Sequence, residues 1–394
     1  MSVYMVFKQT PRYHQISIED FMDDPFREIP EGKINYDPTG TKTFCAKAVK
    51  PQIRNQAHIP EFFKKLKEFN QATAGLHGAK REDLYNHFVI PKHSGGLRPI
   101  DAPNDGLKEA LYSLKYLLEE FSSQTYHTPR GNYVGACYHT SAFAYIKKRC
   151  AIDAVKRHQG NESKWFMKTD FSNFFGNTTP EFVARMFEVV FPFSEVMRVP
   201  EGRTELLYAL DLCFLNGGLP QGTPISPDLT NIIMIPIDFY LANSLRNFEN
   251  QRFIYTRYAD DMQISSRYDF DPKKVEDLIN SALQNFGAPY TIKPEKTRYG
   301  SSAGRNWICG VVLNKDNEIT VGHKKKKQFQ NMLGAYIRDK KAGSAWDLKD
   351  VQVMEGLRNY YSCVEKETIG RIIQHINEKY GVDVLAMIKA DLTP

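Results

Sequence analysis

Three carboxylates dominate the chemistry this sequence can do. Lys168-Thr-Asp170-Phe-Ser-Asn-Phe-Phe175 places Asp170 at the end of a predicted strand, and 90 residues later Tyr258-Ala-Asp260-Asp261 sets two adjacent acids in a tight turn between β-rich flanks. Adjacent carboxylates repel, and no lysine lies inside the turn to offset them, so the pair is costly unless a cation neutralises it. Hard divalent ions such as Mg²⁺ take oxygen ligands from one or two carboxylates and leave other positions to phosphates and water. Successive side chains of an extended segment point to opposite faces, so Asp170 and Asp260 are the expected bridging ligands, with Asp261 peripheral. Two such ions, Mg²⁺ or alternatively Mn²⁺, roughly 3.5–4 Å apart would activate a 3′-hydroxyl and stabilise a leaving pyrophosphate in an in-line displacement. A lone Asp-Asp in an exposed turn is also common, so the neighbouring motifs decide.

Between the acids lies Leu219-Pro-Gln221-Gly222-Thr-Pro224-Ile-Ser226-Pro227, a rigid turn that feeds a helix starting near Pro227. Glycine lets backbone approach a ligand closely, and a helix N-terminus favours anionic groups. Gln221 is the candidate for touching a base or sugar edge.

The elements that must position these groups follow from periodicity. Ile59, Phe62, Phe63, Leu66 and Phe69 recur at helical spacing, as do Leu107, Leu111, Leu114, Leu118 and Phe121. Phe88 to Ile100 reads as two extended segments around a Gly95-Gly96 turn. A strand is predicted over 164–171, a helix after Pro180, and a hairpin over 252–266 with the paired acids at its tip. Residues 1–58 are irregular, with Pro25, Pro30, Gly32, Pro38 and Gly40. Helix and strand mix throughout, which makes the class α+β.

Composition narrows the setting. The chain has 394 residues, 42% of them hydrophobic and 25% charged, which excludes a disordered or fibrous protein. The six cysteines are scattered with no CxxC pair and read as reduced thiols. No apolar run reaches membrane-spanning length, and the opening residues lack the pattern of a signal peptide. The expectation is a soluble, cytoplasmic protein without a membrane partner. Net charge is +6, but residues 143–168 hold seven Lys/Arg against two acids, and 323–341 hold seven against one. Clustered positive charge is the footprint of a polyphosphate partner, or of an ordinary solvated helix face.

Taken in order, FVIPKHSGGLRPI, KTDFSNFF, LPQGTPISP, YADD and KPEKTR resemble the fingers and palm of a reverse transcriptase over roughly 85–312. The resemblance implies a right-hand polymerase: an N-terminal extension over 1–75, fingers and palm over 76–312, and a small helical thumb over 313–394. It implies that Asp170, Asp260 and Asp261, with Phe171, form the metal site, that Phe171 also binds substrate, and that Gln221 and Gly222 lie near the templating pair. Lys92 and Arg98 correspond to finger residues that grip the incoming triphosphate, a task suited to a point charge and a fork of donors. Phe175, five positions after Asp170, corresponds to an aromatic that crowds the 2′ carbon and favours deoxynucleotides, with Phe174 as the alternative register. Lys293 and Lys296 flank Pro294 in KPEKTR, and Lys296 is the candidate acid toward pyrophosphate. Gly310 in Trp307-Ile-Cys-Gly310 resembles a turn that holds the primer strand. Lys324, Lys325, Lys326 and Lys327 are candidates for neutralising duplex phosphates without reading sequence.

Some 80 residues beyond 313 cannot hold both a thumb and a ribonuclease H domain. The size is similar to bacterial retron-type and phage-defence reverse transcriptases. Asp153-Ala-Val-Lys-Arg-His158 and Ile308-Cys309-Gly310 depart from the usual retron patterns, which points toward defence-associated enzymes paired with a structured noncoding RNA. The implied partners are that RNA, an RNA/DNA hybrid and dNTPs, with a homo-oligomer left open. Untemplated or protein-primed DNA synthesis is the alternative activity.

Overall fold

The computed structural model describes residues 2–7, 12–17, 58–91, 95–125, 127–128, 131–132, 138–246, 248–303, 307–308 and 310–393. Most of the irregular N-terminal stretch, and the candidate Lys92, lie outside these residues. The chain divides into two compact units. The first comprises Met1–Cys150, Met167–Ile264 and Asp271–Arg298; the second comprises Ala151–Phe166, Ser265–Phe270 and Tyr299–Pro394.

In the first unit, β1 (Ser2–Phe7) pairs antiparallel with β2 (Arg12–Ser17). Helix α1 (His58–Ala72) buries Phe62 and Leu66, and Phe62 stacks on Phe121 with ring centroids 4.0 Å apart. Strands β3 (Tyr85–Pro91) and β4 (Leu97–Pro103) form an antiparallel ribbon in register from Tyr85↔Pro103 to Pro91↔Leu97. Gly95 and Gly96 turn it at φ +85° and +82°, angles that glycine adopts without steric cost. Helix α2 (Asp105–Thr125) starts where the Asn104 Oδ1 accepts the Leu107 N–H at 3.0 Å. Its Leu107, Leu111, Leu114, Leu118 and Phe121 are all buried, as their spacing predicts.

The catalytic-looking motifs sit on the following elements. Strand β5 (Trp165–Asp170) ends at the first acid. Helix α3 (Pro180–Phe187) is capped by Thr179, with proline at its first position. Helices α4 (Ser226–Ile233) and α5 (Ile235–Arg246) follow the Pro/Gly loop. Strands β6 (Ile254–Tyr258) and β7 (Asp261–Ser266) are joined by the two-residue turn Ala259-Asp260. Helix α6 (Pro272–Asn285) and strand β8 (Arg298–Ser301) complete the set, and the four-stranded sheet has the order β8-β5-β7-β6.

In the second unit, β9 (Trp307–Ile308), β10 (Val311–Leu313) and β11 (Ile319–Thr320) form an antiparallel sheet. The helix Ala151–Gly160 contributes Val155 to a small core with Phe166, Val311 and Leu313. Helices α7 (His323–Lys341), α8 (Leu348–Tyr380) and α9 (Val384–Leu392) enclose a core that includes Phe329, Leu333, Tyr336, Ile337, Val351, Met354 and Ile369. Phe329, Leu333, Tyr336 and Ile337 recur at helical spacing along the buried face of α7. Among the described residues no helix is long and apolar enough to cross a membrane.

Candidate active site

Strand alternation arranges the first acid and its neighbours. Thr169 turns inward, where its hydroxyl meets that of Thr297 at 2.9 Å, while Lys168 and Asp170 share the opposite face. Asp170 is 3% exposed. Beyond the strand end, the Phe171 N–H donates to the Asp260 carbonyl at 3.2 Å, and the Asp170 carbonyl accepts the Lys293 N–H at 2.9 Å. The end of β5 is therefore fastened to both the paired-acid turn and the KPEKTR segment.

Three lysines meet these acids. Lys296 Nζ hydrogen-bonds the Asp170 Oδ2, Lys293 Nζ lies 3.2 Å from the Oδ1, and Lys168 Nζ donates to the Asp261 Oδ2 at 2.9 Å. The buried Asp170 Oδ1 has no hydrogen-bonding partner despite that nearby ammonium. Burial raises the Asp260 carboxyl above its ordinary value; its own backbone N–H opposes the rise, and the charges of Asp261 and Asp170 add to it. Burial works against the charged form of Lys296, yet the hydrogen bond to Asp170 and the charges of Asp170 and Asp260 outweigh it, so its ammonium is held more firmly than usual.

Among the described residues no three metal-ligating side chains converge on one point. The lysines instead draw Asp170 and Asp261 onto themselves. The donor set still suits a hard divalent ion: all-oxygen carboxylates, mutually repelling, with the buried Asp170 Oδ1 accepting no hydrogen bond and countered by the Lys293 ammonium. The lysines supply part of the positive charge that such a cluster requires.

The Pro/Gly loop is pressed against β4. The Gln221 carbonyl accepts the Asp101 N–H at 2.8 Å, and Gly222 adopts φ +128°. A Cβ at Gly222 would lie 2.9 Å from both the Asp101 carbonyl oxygen and the Ile100 Cγ2, so the contact requires glycine. Ser226 stiffens the loop through the Pro220 carbonyl at 3.0 Å and the Thr223 hydroxyl at 2.6 Å. Arg98 stands exposed on β4, opposite Ile90.

The two phenylalanines separate cleanly. Phe174 is 3% exposed and packs on Phe171 and Tyr290, with centroids at 5.5 and 4.9 Å. Phe175 is half-buried, and its carbonyl accepts the N–H of Leu219 at 3.0 Å, which ties it to the Pro/Gly loop. Phe171 is fully buried, so only its backbone faces the acids.

The second-unit candidates form their own group. Gly310 turns at φ +86°, and its carbonyl accepts Lys325 Nζ at 2.6 Å. Lys326 donates to the Glu365 carboxylate at 2.9 Å, where α8 is interrupted. Of the four lysines, Lys324 and Lys327 are the exposed pair.

Sequence reasoning passed over several supporting residues. Lys168, two positions before Asp170, was signalled by strand alternation. Arg257 had no such signal: it is completely buried and pairs with Asp238 at 2.7 Å. Its Nη1 donates to the Ala259 carbonyl at 3.0 Å and its Nη2 to the Asn231 Oδ1 at 3.2 Å. Tyr145 stands on a loop with no regular periodicity to mark it.

Comparison with known proteins places this geometry. The chain is 25% identical over 314 residues to the retron Ec83 reverse transcriptase of Escherichia coli, covering 77% of this chain and 89% of that protein. It is 25% identical over 246 residues to the retron Ec73 reverse transcriptase of the same organism, covering 61% and 72%. Among solved structures, the apo telomerase of Candida tropicalis truncated from its C-terminal domain superposes with a TM-score of 0.40 at 16% identity, covering 60% of this chain and 54% of that one. The reverse transcriptase (RNA-dependent DNA polymerase) family matches residues 90–336, and the chain belongs to that family.

Proposed function

We propose that this reverse transcriptase copies an RNA template into DNA at the site built by Asp170, Asp260 and Asp261. The observation that carries the reading is the Phe171-to-Asp260 backbone hydrogen bond of 3.2 Å, which locks two acids far apart in sequence beside each other. These carboxylates, with the Phe171 backbone, would hold Mg²⁺, or Mn²⁺ in its place. When bound, such an ion lowers the pKa of the attacking hydroxyl and offsets charge on the leaving pyrophosphate.

The remaining roles fall to the chain's own side chains. Lys92 and Arg98 grip the triphosphate, Arg98 from strand β4. Phe175 lies beneath the sugar and excludes a 2′-hydroxyl. Gln221 and Gly222 present the Pro/Gly loop to the templating pair. Lys296, held protonated beside Asp170, delivers a proton to the departing pyrophosphate. In the second unit, Gly310 guides the primer strand, and Lys324 and Lys327 neutralise duplex phosphates. Lys325 braces the Gly310 turn, and Lys326 ties α7, which carries the exposed pair, to Glu365 of α8.

The finer reading is a partner noncoding RNA as template and a role in phage defence in the cytoplasm. It is supported by the departures at Asp153–His158 and Ile308–Gly310 and by the basic 143–168 stretch. Purified protein with its co-purifying RNA, dNTPs and Mg²⁺ should yield cDNA whose sequence mirrors that RNA, and an Asp260→Ala/Asp261→Ala variant should yield none. Equal product from the two would end the proposal, and product unrelated to any RNA would favour untemplated or protein-primed synthesis. Loss of phage resistance in cells carrying the double variant tests the defence role.

A further inference from the structure

Tyr145 is an exposed tyrosine on a tightly held loop. Its backbone is at φ +61°, a conformation that side chains with a β-carbon seldom adopt, and its ring is 56% exposed. Its flanks are rigid. Ala142 bridges Arg257 in parallel register, the Arg257 N–H donates to the Ser141 carbonyl at 2.7 Å, and the Phe143 N–H donates to the Arg257 carbonyl at 2.9 Å. The Asn231 amide, from α4, holds the Ala144 carbonyl at 2.9 Å. Arg149 clamps the loop from the other side through the His139 and Ala142 carbonyls, at 2.6 and 2.8 Å.

That register carries the loop alongside β6. Three residues beyond the Ala142↔Arg257 bridge, one segment arrives at Tyr145 and the other at Asp260. Partial burial raises the phenol's pKa, and the charges of Asp260 and Arg98 act on it in opposite senses. The loop thus brings an exposed tyrosine within electrostatic reach of a catalytic carboxylate and of a β4 guanidinium. A strained residue on a loop anchored on both sides, open to solvent and within reach of both charges, is placed to touch a ligand that the two charges hold.

We infer that the Tyr145 hydroxyl donates a hydrogen bond to a phosphate oxygen of the incoming nucleoside triphosphate. The inference rests on reading Asp170, Asp260 and Asp261 as the nucleotidyl-transfer site. Within that site it adds a donor that is neutral, fixed in place by its backbone, and independent of the lysine and arginine contacts. Hydrogen bonds to charged phosphate oxygens are stronger than neutral ones, so removal of one is felt mainly in binding.

The test uses the full chain with poly(rA)/oligo(dT), dTTP and Mg²⁺. Tyr145→Phe should raise the KM for dTTP by roughly tenfold, leave kcat within about threefold of wild type, and leave the melting temperature unchanged. Inorganic pyrophosphate, which shares the phosphate contact, should lose potency as an inhibitor by a similar factor. Tyr145→Gly should show the same KM defect with a melting temperature equal to or above that of wild type, because glycine relieves the positive φ. An unchanged KM in Tyr145→Phe, or a raised KM with undiminished pyrophosphate inhibition, would overturn the phosphate contact while leaving the polymerase reading intact. A Tyr145→Gly variant that melts well below wild type would make Tyr145 a structural residue and overturn the inference as well. A wild-type chain no more active than the Asp260→Ala/Asp261→Ala variant would overturn both readings together.

Discussion

Arg257 Nη1 donates to the carbonyl of Ala259 at 3.0 Å from a position with no solvent exposure. The same guanidinium is paired with Asp238 through three hydrogen bonds of 2.7 to 3.1 Å, and Asp238 also accepts the Tyr255 hydroxyl at 2.7 Å. Ala259 is itself at φ +58°, an unfavourable conformation for alanine. The turn that presents Asp260 thus hangs from a buried ion pair. Arg257 acts through that turn and is a positioning residue.

Removing one partner of a fully buried pair leaves the other charge uncompensated, at a cost of about 3–5 kcal/mol. Arg257→Ala should therefore lose much of the stability of the first unit, as measured by urea unfolding. Arg257→Lys keeps the charge but loses the planar fork. It should melt above the alanine variant, yet turn over more slowly than wild type at saturating dNTP, because the Ala259 carbonyl loses its donor. An alanine variant as stable as wild type would remove the ion pair from this account.

Asp260 supplies a pH prediction. Burial, reinforced by Asp261 and Asp170, raises its carboxyl above the usual 3.8. Between 3.8 and the raised value, the folded chain without a divalent ion holds a proton that an unfolded carboxylate has released. Stability of that ion-free form should accordingly rise as pH falls through this window. Divalent-ion binding needs the deprotonated form and should release protons, so apparent Mg²⁺ affinity should weaken as pH falls through the same interval. Calorimetric titrations in buffers of different ionisation enthalpy would count the protons, and none released at the acidic end would contradict the assignment.

The two adjacent phenylalanines should respond in opposite ways. Phe174→Ala opens a cavity beside Phe171 and Tyr290 and should cost about 3–5 kcal/mol with little effect on sugar choice. Phe175→Ala should be far milder in stability but should incorporate ribonucleotides more readily. Competition between dNTPs and rNTPs, read beside thermal melts, separates the two. Unchanged discrimination in Phe175→Ala would remove it from the sugar site.

Gly222 should tolerate no side chain. Alanine there faces both φ +128° and a 2.9 Å clash with the Asp101 carbonyl oxygen, so the Pro/Gly loop must move off β4. Gly222→Ala is expected to cost about 1–3 kcal/mol of backbone strain. Incorporation on a defined template should also become less faithful as the loop shifts. A variant with wild-type melting temperature and wild-type error rate would show that the loop contact is dispensable.

Much of this protein was legible in its sequence because the signals are local. Leu107 to Phe121 mark their helix by spacing alone, Gly95-Gly96 mark their turn, and the alternating residues around Asp170 and the Tyr258–Asp261 turn mark strand ends that carry acids. Those motifs, in that order, resembled a reverse transcriptase before any coordinate was known. What only the tertiary structure decided is how unlike neighbours share charge and space. The pairing of Lys168, Lys293 and Lys296 with the acids, the burial of Arg257 on Asp238, and the division of labour between Phe174 and Phe175 are contacts across folded segments. So are the engagement of Lys325 and Lys326 within the second unit and the bridge of Ala142 to Arg257 that sets the Tyr145 loop beside β6. Periodicity reports which face of one element is apolar; it carries no record of which distant polar group will meet a buried charge, because that energy exists only once both have left water.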